Sequence, residues 1–468
     1  MRGARPPGST TIAGGSDVRL CPRAMEARER MTMRRRRLAD VRSRVGGSRL
    51  GRAVLAIGGA TMAAQLVAFA AAPVLTRLYA PGVFGAFFII NAVSMALAAG
   101  FALRLELAIP LPEDDEDGSN LARLGVAAIT GMLLVVVAVS VLGSRAIASV
   151  LNVPGSRSLV LFIGPLAASF ALFALFNAIA VRERRFGAMA RRYLIVAIAT
   201  VALQLAAGLV DAGASGLAVS TLIAQLLGAA SLNHGTRLAW WRPGESRPPL
   251  VRTLRRWSRF PLVLAPAGWL NSAGTHAPLV AVGALYAADA AGWFGLTLRI
   301  VALPVALIGA SVAQVYVSEL ASRHREHSGH EHGLFLNTSR ALGIAAVLVG
   351  GLLFVVGPWA FGVVFGHDWA PAGDMARAYA VGAAAQILVS PISQTLIVYE
   401  RVALQLMWDA SRLVLTLGSL IVAWRLDASA VHAVWALSLT TALCYAANWE
   451  ACRRTVVGTS ARRSDPSS

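Results

Sequence analysis

Apolar runs of twenty or more residues recur along this chain from residue 53 to residue 451, separated by short polar stretches. A helix of that length crosses the ~30 Å hydrocarbon layer of a bilayer. Twelve such spans can be drawn, near 53–75, 84–109, 121–143, 158–181, 194–210, 214–234, 261–284, 293–318, 341–365, 376–398, 404–424 and 429–451. Lipid offers no water to the backbone, so each span must satisfy its own peptide groups, which makes an all-α integral membrane protein the expected fold. Composition agrees. The chain is 56% hydrophobic and 14% charged, too little charge to cover the surface of a soluble protein of 468 residues.

The net charge of +19 comes from arginine alone; there is no lysine. The arginines gather between the apolar runs, which marks membrane topology and argues against nucleic acid as a partner. With the N-terminus placed in the cytoplasm, the inner side holds fourteen arginines up to Arg52, five from Arg182 to Arg192 and seven from Arg237 to Arg259. The outer loops hold only Arg77, Arg145, Arg157 and Arg425. Both termini are therefore expected in the cytoplasm of a multi-pass protein of the bacterial inner membrane. Residues 1–50 read as a disordered basic tail without a signal peptide. The acidic stretch LPEDDEDG (111–118) reads as a solvated inner turn. Cys21, Cys444 and Cys452 form no disulfide or zinc pattern, and the loop RHREHSGHEHG (323–333) reads as a solvated linker, so no metal or cofactor is expected.

The chain looks duplicated. LYAPGVFG (78–85) and LYAADAAGWFG (285–295) each join the first and second helices of a six-helix half. VRER (181–184) is echoed by VYER (398–401), and Asp211 and Asp427 follow at similar distances. Six helices per half give a parallel repeat, with a central cleft between bundles at 51–234 and 261–452. Residues 235–260 then form a cytoplasmic linker, and 453–468 a cytoplasmic tail.

The residues 65–89 (QLVAFAAAPVLTRLYAPGVFGAFFI), 104–117 (RLELAIPLPEDDED), 255–272 and 292–316 resemble bacterial polysaccharide flippases of the multidrug/oligosaccharidyl-lipid/polysaccharide exporter superfamily. The resemblance implies a transporter rather than an enzyme, with no catalytic residue. It would flip an isoprenoid-pyrophosphate-linked oligosaccharide from the inner to the outer leaflet for polysaccharide biosynthesis. The implied partners are that lipid, the bilayer, and a polysaccharide polymerase or assembly proteins. It also implies that the first, second, seventh and eighth helices line the cleft.

A phosphorylated headgroup needs a wet, cationic passage, and arginine holds phosphate oxygens in pairs. Arg77, Arg104 and Arg299 are the candidate cationic groups, each with snorkelling to an interface as its alternative. Gln65, Asn271 and Gln314 lie on the helices implied to line the cleft. Glu106 and Glu319 are candidates for a gate or a coupling site; Arg104 and Glu106, two residues apart on a helix, need not pair. Pro261, Pro266 and Pro278 crowd the seventh helix and mark it as the bending element. Asp409 and Arg412, three apart, read as neutralising each other. Two other readings remain: a drug/cation antiporter of the same superfamily, which would want unpaired carboxylates in its cavity, and a membrane glycosyltransferase or polymerase, which would want a catalytic loop that is not seen.

Overall fold

The computed structural model describes residues 49–153, 157–237, 250–326 and 331–464. Residues up to Ala56 form a unit of their own, of which only the helical start from Arg49 is described; Ile57–Ser468 form the body. Most of the N-terminal tail, most of the 235–260 linker and part of the histidine-rich loop lie outside the described residues.

Each of the twelve expected spans overlaps a long helix, although those near 84–109 and 376–398 break before their expected ends: α1 (Arg49–Leu78), α2 (Pro81–Phe101), α3 (Asp115–Val150), α4 (Ile163–Arg182), α5 (Phe186–Leu209), α6 (Gly213–Asn233), α7 (Ala265–Tyr286), α8 (Ala288–Glu326), α9 (Glu331–Phe365), α10 (Ala370–Val389), α11 (Val402–Arg425) and α12 (Ala430–Ser464). Ten are long and apolar enough on their own to cross a membrane; α10 passes together with Ile392–Val398, to which it is bent by 43°. The proline- and polar-rich α7 is not among them. The outward faces suit lipid. On α9, Ile344, Val347, Leu348, Leu352, Val355 and Trp359 are exposed at helical spacing, an apolar stripe that water would penalise.

The duplication is visible in the turns. Asp211 and Asp427 both take the left-handed conformation, φ 51° and 53°, where α5 meets α6 and α11 meets α12. Aspartate tolerates that region better than most residues. Arg184 and Glu400 do the same after α4 and after the α10 region, each 27 residues before its aspartate. In both halves the next residue's N–H closes the turn, Arg185 to Ala180 O and Arg401 to Leu396 O, the backbone pattern of a Schellman turn. The structural register therefore places Arg184, not Glu183, opposite Glu400.

α2 packs against α3, α4 and α6 in the first half, and against α7 and α8 of the second. In the second half α10 packs against α9, α8 and α12, and α7 against α11. The core is divided unevenly. At the end carrying the α1–α2 and α7–α8 turns, one apolar cluster runs through both halves, from Leu75, Tyr79 and Phe84 to Phe294, Phe361 and Trp369. At the opposite end there are two clusters. One centres on Phe101, Leu121 and Leu175, the other on Tyr316, Phe335 and Leu396.

The repeated turns cross each other. A Cβ on Gly85 would collide with the Ala288 carbonyl and the Gly292 N–H, and one on Gly292 with the Pro81 carbonyl. Only glycine lets two backbones approach so closely. Trp369 closes the same end: its indole N–H donates to Thr76 O at 3.0 Å across the halves, and its ring meets Phe84 edge-on at 5.5 Å.

At the opposite end the acidic turn is exposed from Glu113 to Glu116, as expected of a solvated turn, and it is also clasped. Arg182 donates to Ile109 O, Pro112 O, Asp114 O and Asp115, and Arg256 pairs with Asp117 at 2.7 Å. Carbonyls of the irregular segment between α2 and α3 are satisfied this way. Arg192, one of the arginines assigned to the inner side, is buried, its guanidinium over the Phe173 and Tyr193 rings.

Candidate functional site

A cavity of about 900 Å3 lies among α7, α8, α10, α11 and α12, with Arg104 and Leu107 contributed by the first half. It extends from the end with the two separate cores to Thr416, past the middle of α11, and to Phe294, two turns into α8, where it meets the continuous core. Its place follows from the uneven core: the halves are fused at the turn end and part at the other.

Arg104 reaches the cavity because α2 stops early. The span expected to continue to residue 109 ends as a helix at Phe101, and Leu103 and Arg104 take positive φ, 52° and 57°. Neither is glycine, so this geometry stores about 1–2 kcal/mol per residue. The break turns Arg104 off the helix axis and against Gly268 of α7, where a Cβ would occupy the guanidinium's place. It also brings Arg104 and Glu106 together at 3.6 Å, which an unbroken helix would not. Glu106 is buried, and burial pushes its carboxyl above the usual range while its own backbone contact and Arg104 pull it down. At 3.6 Å the pair is electrostatic rather than a close hydrogen bond, so the Arg104 donors stay available to the cavity.

A second polar group lines the cavity along α11. Gln405, Trp408, Asp409, Arg412 and Thr416 fall on one face of that helix. Asp409 and Arg412 do approach, but at 3.7 Å, and Asp409 Oδ1, Arg412 Nε and Gln405 Oε1 have no hydrogen-bond partner. Gly274 of α7 leaves the space that the Arg412 guanidinium fills. Trp408 donates to Cys444 O at 2.7 Å, which fixes its ring against Tyr445 at 5.3 Å. The stripe was legible as spacing. Read as an isolated i, i+3 ion pair it looked inert; read together with Gln405, Trp408 and Thr416 it is a cavity wall.

The remaining expected residues are dispersed. Asn271 and Pro278 line the cavity. Arg299 is half-buried on α8 and donates to Ala68 O of α1 at 3.2 Å; it ties α1 to the second half and is not part of this cavity's lining. Arg77 is exposed at the end of α1, Gln65 half-buried on α1, and Gln314 exposed on α8, all three outside the lining. Glu319 pairs with Arg323 one turn on at 2.8 Å. Pro261 sits in a π-helical turn, Phe260–Leu264, that leads into α7, and Pro266 lies in the first turn of α7. Sequence reasoning also missed His276, which lines the cavity from α7.

This arrangement has counterparts among known membrane transporters. The inward-facing conformation of a multidrug resistance MATE family transporter of the MOP superfamily superimposes with a TM-score of 0.68 at 14% identity, over 84% of this chain and 95% of that one. The lipid II flippase MurJ in its inward closed conformation gives 0.66 at 13% identity, over 86% and 89%. The fold is thus that of a MOP-superfamily transporter. The model of the polysaccharide biosynthesis protein family matches residues 74–374, and the chain belongs to that family. The teichuronic acid biosynthesis protein TuaB of Bacillus subtilis (strain 168) is 28% identical over 148 residues, 31% of this chain; the match spans about 30% of that relative's length. Family and fold together define a multi-pass membrane protein of a polysaccharide biosynthesis family, built on the fold that MATE and MurJ share.

Proposed function

We propose that the protein moves an isoprenoid-pyrophosphate-linked oligosaccharide from the inner to the outer leaflet of the bacterial cytoplasmic membrane by alternating access. The arginine bias supports a cytoplasmic Arg104 end and cytoplasmic termini, so a cavity open at the Arg104 end faces inward. The observation that carries the reading is the guanidinium of Arg104, held at the seam of the halves and turned into the cavity by a strained backbone. A diphosphate has no place in hydrocarbon, but a wet cavity with an always-charged planar donor accepts it. The lipid tail stays in the bilayer. The crossed turns would then part to release the headgroup outward while the opposite end closes, with Pro261, Pro266 and Pro278 as the bending points of α7. Substrate drives this only through its different affinity for the two states.

The test is deletion of the gene followed by extraction of lipid-linked sugars. Glycolipid should accumulate on the inner leaflet and be cleared by the wild-type chain but not by Arg104→Ala present at normal level in the membrane. Accumulation of unpolymerised units on the outer face would overturn the reading in favour of a polymerase. Asp409, a carboxylate lining the cavity, favours the second reading, a drug/cation antiporter. Ethidium uptake into inverted vesicles driven by an ion gradient, lost in Asp409→Asn, would establish that reading instead.

A further inference from the structure

The α11 stripe holds more hydrogen-bonding capacity than the protein uses. Gln405 Oε1, Asp409 Oδ1 and Arg412 Nε lie on successive turns of one helix face, buried and without partners. Polar groups in a membrane helix normally bond to a neighbouring helix. Unmet groups on one cavity wall call for a ligand that meets them.

The chemistry of that wall selects among ligands. Asp409 and Arg412 stand 3.7 Å apart, close enough to cancel in charge and too far to be bonded to each other. A bare anion would face Asp409 and a bare cation Arg412. A sugar ring suits both, because each hydroxyl donates and accepts. One hydroxyl donates to the Asp409 carboxylate while its neighbour on the ring accepts from the Arg412 guanidinium. Gln405, whose NH2 lies 3.4 Å from Asp409 Oδ2, keeps its carbonyl for a third hydroxyl. The ring's C–H face needs an apolar platform. Trp408, immobilised by its bond to Cys444 O and flanked by Tyr445, supplies it with the part of its ring that the Arg412 guanidinium, 5.0 Å from the ring centroid, leaves uncovered.

We infer that the α11 face is a sugar subsite, which takes a pyranose with adjacent hydroxyls on Trp408 and reads it through Asp409, Arg412 and Gln405. The inference rests on the proposed function, and it divides the cavity. Arg104 at the seam serves the diphosphate, and α11 serves the sugar attached to it. Recognition of the cargo then resides in the second half.

The test uses the full chain in nanodiscs. The probes are decaprenyl diphosphate alone and decaprenyl diphosphate bearing glucose, galactose or N-acetylglucosamine. At least one glycosylated probe should bind about tenfold tighter than the bare lipid, the size expected of hydrogen bonds to charged groups. Arg412→Gln and Asp409→Asn should each shrink that gain to about twofold or less. Arg104→Gln should weaken bare and glycosylated probes by the same factor. Equal wild-type affinity for all four probes would overturn the sugar subsite and leave diphosphate binding standing. Binding of none would remove the proposed function itself. Should either α11 variant fail to fold, Gln405→Leu and the wild-type comparison still decide.

Discussion

The two ends of the bundle are built differently from the same repeat. At the turn end, one core passes through both halves, glycines let the backbones of the α1–α2 and α7–α8 turns touch, and Trp369 bonds across to Thr76. At the Arg104 end each half keeps its own core, a cavity opens beside the seam, and the α2–α3 turn is held by Arg182 of its own half and by Arg256 of the short linker helix Leu250–Arg256. The difference teaches where a state is stored. Apolar burial across a seam fixes two halves together; loops satisfied locally leave them free to separate.

The comparison breaks most visibly if the glycine crossing is wedged. Gly85→Leu places a side chain against the Ala288 backbone, which has no rotamer to yield, so a strain of about 1–3 kcal/mol falls on the closed turn end. Export should drop by roughly ten- to a hundredfold, and a cysteine at Asn271 should become reactive to a maleimide added from the turn side. Unchanged export would show that the close approach has no part in the cycle. Trp369→Ala should lower stability by about 3–5 kcal/mol, read as a fall in the thermal unfolding midpoint in detergent; an unshifted midpoint would mean the shared core does not join the halves. Asp117→Asn removes the ion pair to a largely exposed Arg256 and should change stability by less than about 1 kcal/mol. The smallest effect belongs to Gly351→Ala on α9, where no atom outside its own helix stands within 4 Å; it should leave export unaltered.

Much of this was legible in the chain, for reasons that differ by feature. The helices were, because backbone satisfaction in lipid leaves no other form for a twenty-residue apolar run. The repeated turns were legible as linkers. Their crossing was not, because it joins Gly85 to Ala288, residues far apart in sequence. Arg299 shows the same limit: a charge inside a helix announced that it needed a partner, but the partner is a backbone carbonyl of α1, and no side-chain pattern marks a carbonyl. Arg104 was found by its motif and explained only by the backbone, since two positive φ values at Leu103 and Arg104 leave no trace in residue type. On α11 the pattern was present and under-read, because an ion pair at i, i+3 is the usual way a helix neutralises charge, and only the geometry shows that this pair leaves hydrogen-bonding groups unmet.

The central claim is that the turn end must part for the cargo to leave. Gly82→Cys with Asp289→Cys, in a chain with Cys21, Cys444 and Cys452 changed to serine, places two thiols where the turns meet, the position of a Cβ on Gly82 lying 3.5 Å from Asp289 Cγ. Translocation of a labelled lipid-linked oligosaccharide should stop on oxidation and return on reduction, with diphosphate binding at the Arg104 end retained throughout. Translocation at the wild-type rate by the fully cross-linked protein would contradict it.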